Sequence, residues 1–147
     1  MANIFRLLAL SVVGFQEFME KILELRQKYN RKKRKIYLDI PHLQMPHHQN
    51  VRILTPDYQD YMESHIKFME ENKDEEKGFK DAEIQKMKRI LQWMREEMDY
   101  EKKRNFQANF YLFFKRHDSL RGTNFLEAFP QMEEFWNLCR EMEEDRP

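Results

Sequence analysis

Cysteine is almost absent from this sequence: Cys139 stands alone among 147 residues. One thiol excludes a disulfide scaffold, a cysteine-based zinc site and an iron–sulfur cluster held by this chain's own cysteines. Glycine is nearly as scarce, with three, and proline has five, which excludes collagen-like and low-complexity chains. A long apolar run is also missing. The stretch Leu7-Leu8-Ala9-Leu10-Ser11-Val12-Val13, behind Arg6, has the flavour of a signal-peptide core. It has no small-x-small cleavage site and falls far short of the roughly 20 residues that span a bilayer. It reads as a buried strand or the start of a helix. With one cysteine and ten methionines, the expectation is a reduced, cytoplasmic setting without a membrane partner.

What is present is aromatic and charged. Twelve Phe, six Tyr and two Trp argue for a packed core rather than disorder. The formal charge is zero, but residues 1–54 carry ten basic and four acidic side chains, and residues 55–147 carry sixteen basic and twenty-two acidic. The basic excess peaks at Arg31-Lys32-Lys33-Arg34-Lys35. Such a run is a nuclear-import or nucleic-acid motif in some chains. After a helix it is more simply a solvated loop at the negative end of the helix dipole. Nucleic acid is not a favoured partner, since the total is neutral and the longer half acidic.

Periodicity divides the chain. Phe15, Phe18, Met19, Ile22, Leu23, Leu25 and Arg26 recur at helical spacing, predicting an amphipathic helix from Gly14 to Tyr29. Residues 35–40, bounded by Pro41, read as a strand. Helix then strand is half of a βαβ unit, so its sheet is expected to be parallel, with residues 7–13 the candidate for the earlier strand. Val51 to Leu54 reads as a second extended segment. Thr55 is placed as the N-cap of a helix that has Pro56 at its first position and runs to Glu71. Residues 72–78 form a charged linker. Asp81 caps the next helix, which carries Ile84, Met87, Leu91, Met94 and Met98 and continues to about Arg104. An aromatic helix with Phe106, Phe110, Phe113 and Phe114 ends near His117-Asp118. Thr123 or Asn124 caps a short turn, and Pro130 opens a last helix.

Motifs for chemistry are sparse. His42, His47 and His48 could supply metal nitrogens with Asp39, but no helical ligand spacing supports them and no metal site is assigned. His65 reads as a core or helix-face histidine. His117-Asp118 has the composition of an acid–base pair, although sequence neighbours need not face each other. No Gly-rich phosphate loop and no nucleophile elbow occurs. Cys139 reads as buried and inert. Met87, Met94 and Met98 beside Trp93 read as core, or as an adaptable partner groove.

The segment from Asn109 to Pro130, and within it His117-Asp118-Ser119-Leu120-Arg121-Gly122-Thr123-Asn124-Phe125-Leu126-Glu127-Ala128-Phe129-Pro130, resembles the C-terminal tail of twitch-type radical S-adenosylmethionine proteins. In that family a phrase like "HD-x-x-RGTNFLETFP" precedes a last helix beginning near "EFW". Tyr37 to Leu43 and Gln49 to Leu54 are similar to the family's late barrel region. The likeness touches most of residues 15–140 and is most specific over 117–130. It departs at Ser119-Leu120, where the family often has two arginines.

The resemblance implies a partial (β/α) barrel whose cofactors are S-adenosylmethionine and a [4Fe–4S] cluster held by Cys-x3-Cys-x2-Cys. That loop does not occur here, so no cofactor is assigned to this chain. The reading is a fragment or truncated relative of such a protein, non-catalytic alone. Its expected partner is the missing N-terminal barrel part or another protein that supplies the cluster. The fold expectation is mainly α with one or two short strands: a barrel-like helix–strand fragment over 1–54 and a helical C-terminal region over 55–147. Asp39 and His42, at a strand end, are the substrate-facing candidates. His117, Asp118, Arg121, Gly122, Thr123, Asn124 and Phe125 are the family-like motif. The alternative is a small helical interaction module.

Overall fold

A computed structural model describes residues 3–4, 9–41 and 44–147. The chain is mainly helical. Strand β1 (Asn3–Ile4) is followed by helix α1 (Ser11–Tyr29) and strand β2 (Leu38–Asp39). Two 3-10 turns follow, His47–Gln49 and Val51–Ile53. Then come α2 (Tyr58–Glu71), α3 (Asp81–Arg95), α4 (Tyr100–Arg121), the short α5 (Phe125–Ala128), a 3-10 turn at Pro130–Met132 and α6 (Glu133–Glu144). β1 and β2 pair in parallel, Asn3 with Leu38 and Ile4 with Asp39. The parallel expectation therefore holds, with the earlier strand at 3–4; of the candidate stretch 7–13, residues 7 and 8 lie outside the described residues and 11–13 open α1.

Several boundaries move for identifiable reasons. The strand expected over 35–40 is only two residues long. Before it the backbone is spoken for: Arg31 and Arg34 bond each other across a tight turn, and Ile36 N–H donates to Asn30 Oδ1 at 2.8 Å. Val51–Ile53 is a 3-10 turn, not an extended segment, because Asn50 Oδ1 accepts from Arg52 N–H at 2.9 Å and folds the chain back. Thr55 does not cap α2. Its carbonyl accepts from Tyr58 N–H in a turn, and the helix starts after Asp57. Asp81 does not cap α3 either: Glu83 reaches back to accept the N–H of Lys80, the residue before the helix, at 2.9 Å.

The largest departure is the expected long helix over 79–104. The backbone turns extended at Glu96, and α4 restarts where Asp99 Oδ1 accepts from Lys102 N–H at 2.9 Å. This satisfies an amide that the first turn of any helix leaves without a partner. α4 then runs past His117 to Arg121. It stops at Gly122, whose φ of 64° lies in the left-handed region that glycine enters without a side-chain penalty.

One hydrophobic cluster runs from Ala9 to Cys139 and draws on every α-helix, the four-residue α5 contributing Phe125. α4 and α6 make the most extensive helix pair. Their seam is aromatic. Phe110 sits 5.7 Å from Phe125 and 5.2 Å from Phe135, and Phe125 stacks on Trp136 at 4.4 Å. Pairs in these geometries add about 0.5–1.5 kcal/mol each beyond their buried area. The helical spacing of Phe106, Phe110, Phe113 and Phe114 is thus used for packing, although Phe113 remains exposed.

Candidate functional site

The family-like motif forms a corner between α4 and α5, and Asp118 organises it. Asp118 Oδ1 accepts from Thr123 Oγ1 at 2.7 Å, and Oδ2 accepts from Phe125 N–H at 2.9 Å. The Asp118 carbonyl accepts from the N–H groups of Gly122 and Thr123. Asn124 Oδ1 then caps α5 by accepting from Leu126 N–H and Glu127 N–H at 3.0 and 3.3 Å. Of the two cap candidates, Asn124 is therefore the one used. The corner delivers Phe125 into the α4–α6 seam. His117 Nδ1 lies 3.9 Å from Asp118 Oδ1, outside hydrogen-bond reach. The two are not hydrogen-bonded to each other, and both carboxylate oxygens of Asp118 hold the turn. Arg121 is exposed. An open pocket of about 400 Å³ lies over this corner, beside Lys115, Ser119 and Trp136.

Asp39, at the end of β2, accepts from Lys86 Nζ of α3 at 2.5 Å. That bond holds its carboxyl below the usual carboxylate range. His42 lies outside the described residues, so the strand-end pair is placed only through Asp39. The other loop histidines do not converge on a ligand. His47 stacks on Phe106 at 4.8 Å and His48 packs on Phe113 at 5.0 Å. Burial lowers the pKa of His48. His65 is a core histidine. Its Nε2 lies 2.6 Å from the Val12 carbonyl, which makes Nε2 the protonated nitrogen, and burial pushes its pKa down against that bond.

A wider groove opens between the His47–Gln49 turn, the end of α3 and the start of α4. It holds about 650 Å³ and is lined by His47, Arg52, Trp93, Met98, Lys102 and Phe106, among others. Met98 reaches this groove from the α3–α4 break, whereas Met87 and Met94 are buried. The Arg52 guanidinium sits 5.3 Å from the centre of the Trp93 ring.

Among the described residues a heavily bonded side chain carries no candidate role in the sequence. Arg26 is 1% exposed. It meets Glu83 with two bonds of 2.7 Å, from Nη1 and Nη2. Nη1 also donates to the Gly78 carbonyl at 2.8 Å, and Nε to the Ile36 carbonyl at 3.2 Å. Next to it, Asn30 Nδ2 donates to the Glu76 carbonyl at 2.7 Å. Together they tie the end of α1 to the 72–80 loop, α3 and the approach to β2. The signal for Arg26 was its place on the apolar stripe of α1.

Among the described residues no group of three or more His, Cys, Asp or Glu is arranged to hold a metal ion. Cys139 is buried in α6, and burial pushes its thiol pKa far up, away from the thiolate a metal needs. The residues present do not fit a [4Fe–4S] cluster, which takes several cysteine thiolates. None of the described helices is long and apolar enough to cross a membrane. No protein-family model, no curated protein and no solved structure matches this chain.

Proposed function

We propose that this chain is the C-terminal region, or a shortened relative, of a radical S-adenosylmethionine protein. It works without a cluster of its own, beside a barrel part or partner protein that supplies one. The observation that carries this reading is the β1–α1–β2 unit: two parallel strands joined through a helix, the repeat from which (β/α) barrels are built. The 117–130 corner supports it in a second way. There Asp118, Gly122, Thr123 and Asn124 are spent on holding the turn that positions Phe125, as suits a tail that braces a barrel.

In this reading Asp39 lies at the end of β2 that faces substrate. Among the described residues β2 has a strand on one side, β1, and the other edge is where the missing strands would join. The test is to read the transcript in frame upstream of the Met1 codon. An open frame carrying Cys-x3-Cys-x2-Cys is the expected result. An early stop codon without such a frame sinks the proposal.

In that event a helical interaction module becomes the better reading. It is favoured by the exposed apolar side chains Leu112, Phe113 and Leu120 on α4. Sedimentation of the purified chain with and without cell extract, followed by Leu120→Glu, tests it. A monomer whose association is unchanged by that substitution argues against the module.

A further inference from the structure

The groove beside Trp93 has a chemistry that neither the corner nor the strand end shares. Its capacity of about 650 Å³ lies within the range of about 300–1,000 Å³ typical of small-molecule sites. Trp93, Phe106 and His47 line it with flat rings. Arg52 and Lys102 bring positive charge, and Lys103 stands close enough for Arg52 to lower its pKa, adding to the effect of burial.

Among the described residues no carboxylate forms an ion pair with Arg52, Lys102 or Lys103. Asp99 puts one negative charge on the groove wall, and its Oδ1 is turned to the Lys102 N–H as the cap of α4. The Arg52 guanidinium donates through Nη2 to the carbonyls of Glu97 at 3.1 Å and Glu96 at 3.5 Å. Its Nε is buried with no acceptor. A buried guanidinium N–H without an acceptor costs free energy until an acceptor arrives.

We propose that this groove binds a small planar aromatic anion: a flat ring carrying one phosphate or carboxylate. The ring lies against Trp93 and Phe106, and the anionic group meets Arg52 and Lys102. Rings alone would suit a neutral apolar ligand, and cations alone would suit a bare anion. Their combination in a space the size of one small molecule favours a ligand that has both parts. Arg planes and aromatic rings both stack on flat heterocycles, and guanidinium pairs with phosphate and carboxylate alike. This inference is independent of the proposed kinship.

Isothermal titration calorimetry on the full chain tests it with two probes that separate the sources: adenosine monophosphate for a ring with phosphate, and indole-3-acetate for a ring with carboxylate. Inorganic phosphate and adenosine serve as half-ligands. At least one probe should bind with a Kd between about 10 μM and 1 mM. The matching half-ligands should bind at least about tenfold more weakly. Arg52→Gln should weaken the probe about tenfold or more.

Because Arg52 also holds the end of α3, Lys102→Gln provides a second variant. Lys102 is exposed, its ammonium bonds to nothing among the described residues, and its loss should weaken binding about threefold or more. The proposal is overturned if neither probe gives saturable heat at about 5 mM. It is also overturned if Lys102→Gln and Trp93→Leu both bind the probe as well as the parent. Inorganic phosphate binding as tightly as adenosine monophosphate would overturn it in favour of a plain anion site. A short single-stranded RNA binding far more tightly than its mononucleotide would overturn it in favour of a nucleic-acid surface.

Discussion

Replacing Arg26 with Met removes a side chain with four hydrogen bonds while keeping much of its volume. Four bonds go: two to Glu83, one to the Gly78 carbonyl and one to the Ile36 carbonyl. What remains is the damaging part. Glu83, whose side chain is 9% exposed, keeps one acceptor bond to the Lys80 N–H and loses its counter-charge. Removing one partner of a buried pair costs about 3–5 kcal/mol, because it strands the other charge. Domains of this kind hold only about 5–15 kcal/mol in total, so Arg26→Met should remove a large share of the chain's stability.

Glu83→Gln keeps an acceptor for Lys80 N–H and for one guanidinium nitrogen, and should cost about 1.5–3 kcal/mol. The double variant Arg26→Met with Glu83→Met removes both charges and should cost less than the two single changes together, since a buried pair is often matched by well-packed apolar residues. Urea unfolding followed by circular dichroism measures all three. A single Arg26→Met within about 1 kcal/mol of the parent, or a double variant that is simply additive, would show that the pair is not the clamp its geometry describes.

Three further outcomes are expected. Gly78→Ala should destabilise strongly, because a Cβ there would lie 2.1 Å from the Asn72 carbonyl oxygen, a backbone atom that cannot swing away; a melting temperature equal to the parent's would contradict this. Asp118→Ala should cost about 1–3 kcal/mol through the stranded Phe125 N–H, and Gly122→Ala about 1–2 kcal/mol through its left-handed backbone alone, with open space around the added methyl. Both should leave tryptophan emission native-like below their melting points, and a red-shifted Trp136 in the folded variant would speak against a local effect.

Stability should also fall on acidification through His65. Its folded pKa is lowered by burial, so its contribution is complete above the unfolded value of about 6.5. It is lost as pH drops below that value, when the unfolded chain takes up a proton that the native chain refuses, with a slope of up to about 1.4 kcal/mol per pH unit. His65→Gln should flatten the curve of unfolding free energy between pH 7.5 and 5; parallel curves for parent and variant would dismiss the effect.

Much of the helical architecture was legible because it follows from side-chain spacing. Arg26 shares the helical spacing of the apolar residues of α1, and the end of α2 at Glu71 falls where the pattern stops. The break between α3 and α4 was not legible. Glu96-Glu97-Met98-Asp99 contains no glycine or proline, and every one of its side chains is compatible with a continuous helix. The break depends on Asp99 turning back onto Lys102 and on Arg52 gathering the carbonyls of residues 96 and 97 from more than forty positions away. Glu83 was hidden for a similar reason. A charge at the start of an amphipathic helix looks solvated until its partner, 57 residues away, is in place. At the corner, the residue types announced a turn, but only the structure distributes Asp118 to Thr123 and Phe125 and leaves His117 outside.

The Arg26 clamp reaches from the basic half of the chain into the acidic one, and so does its companion Asn30. A nick at the turn between Leu54 and Thr55 would leave the first piece with a guanidinium and the second with a carboxylate, each shaped to be dry and neither able to be dry alone. The two pieces would therefore be halves of one cooperative unit. Mixed, they should reassemble, drawn by opposite net charges and locked by the same bidentate pair; apart, each should be a chain in search of the other.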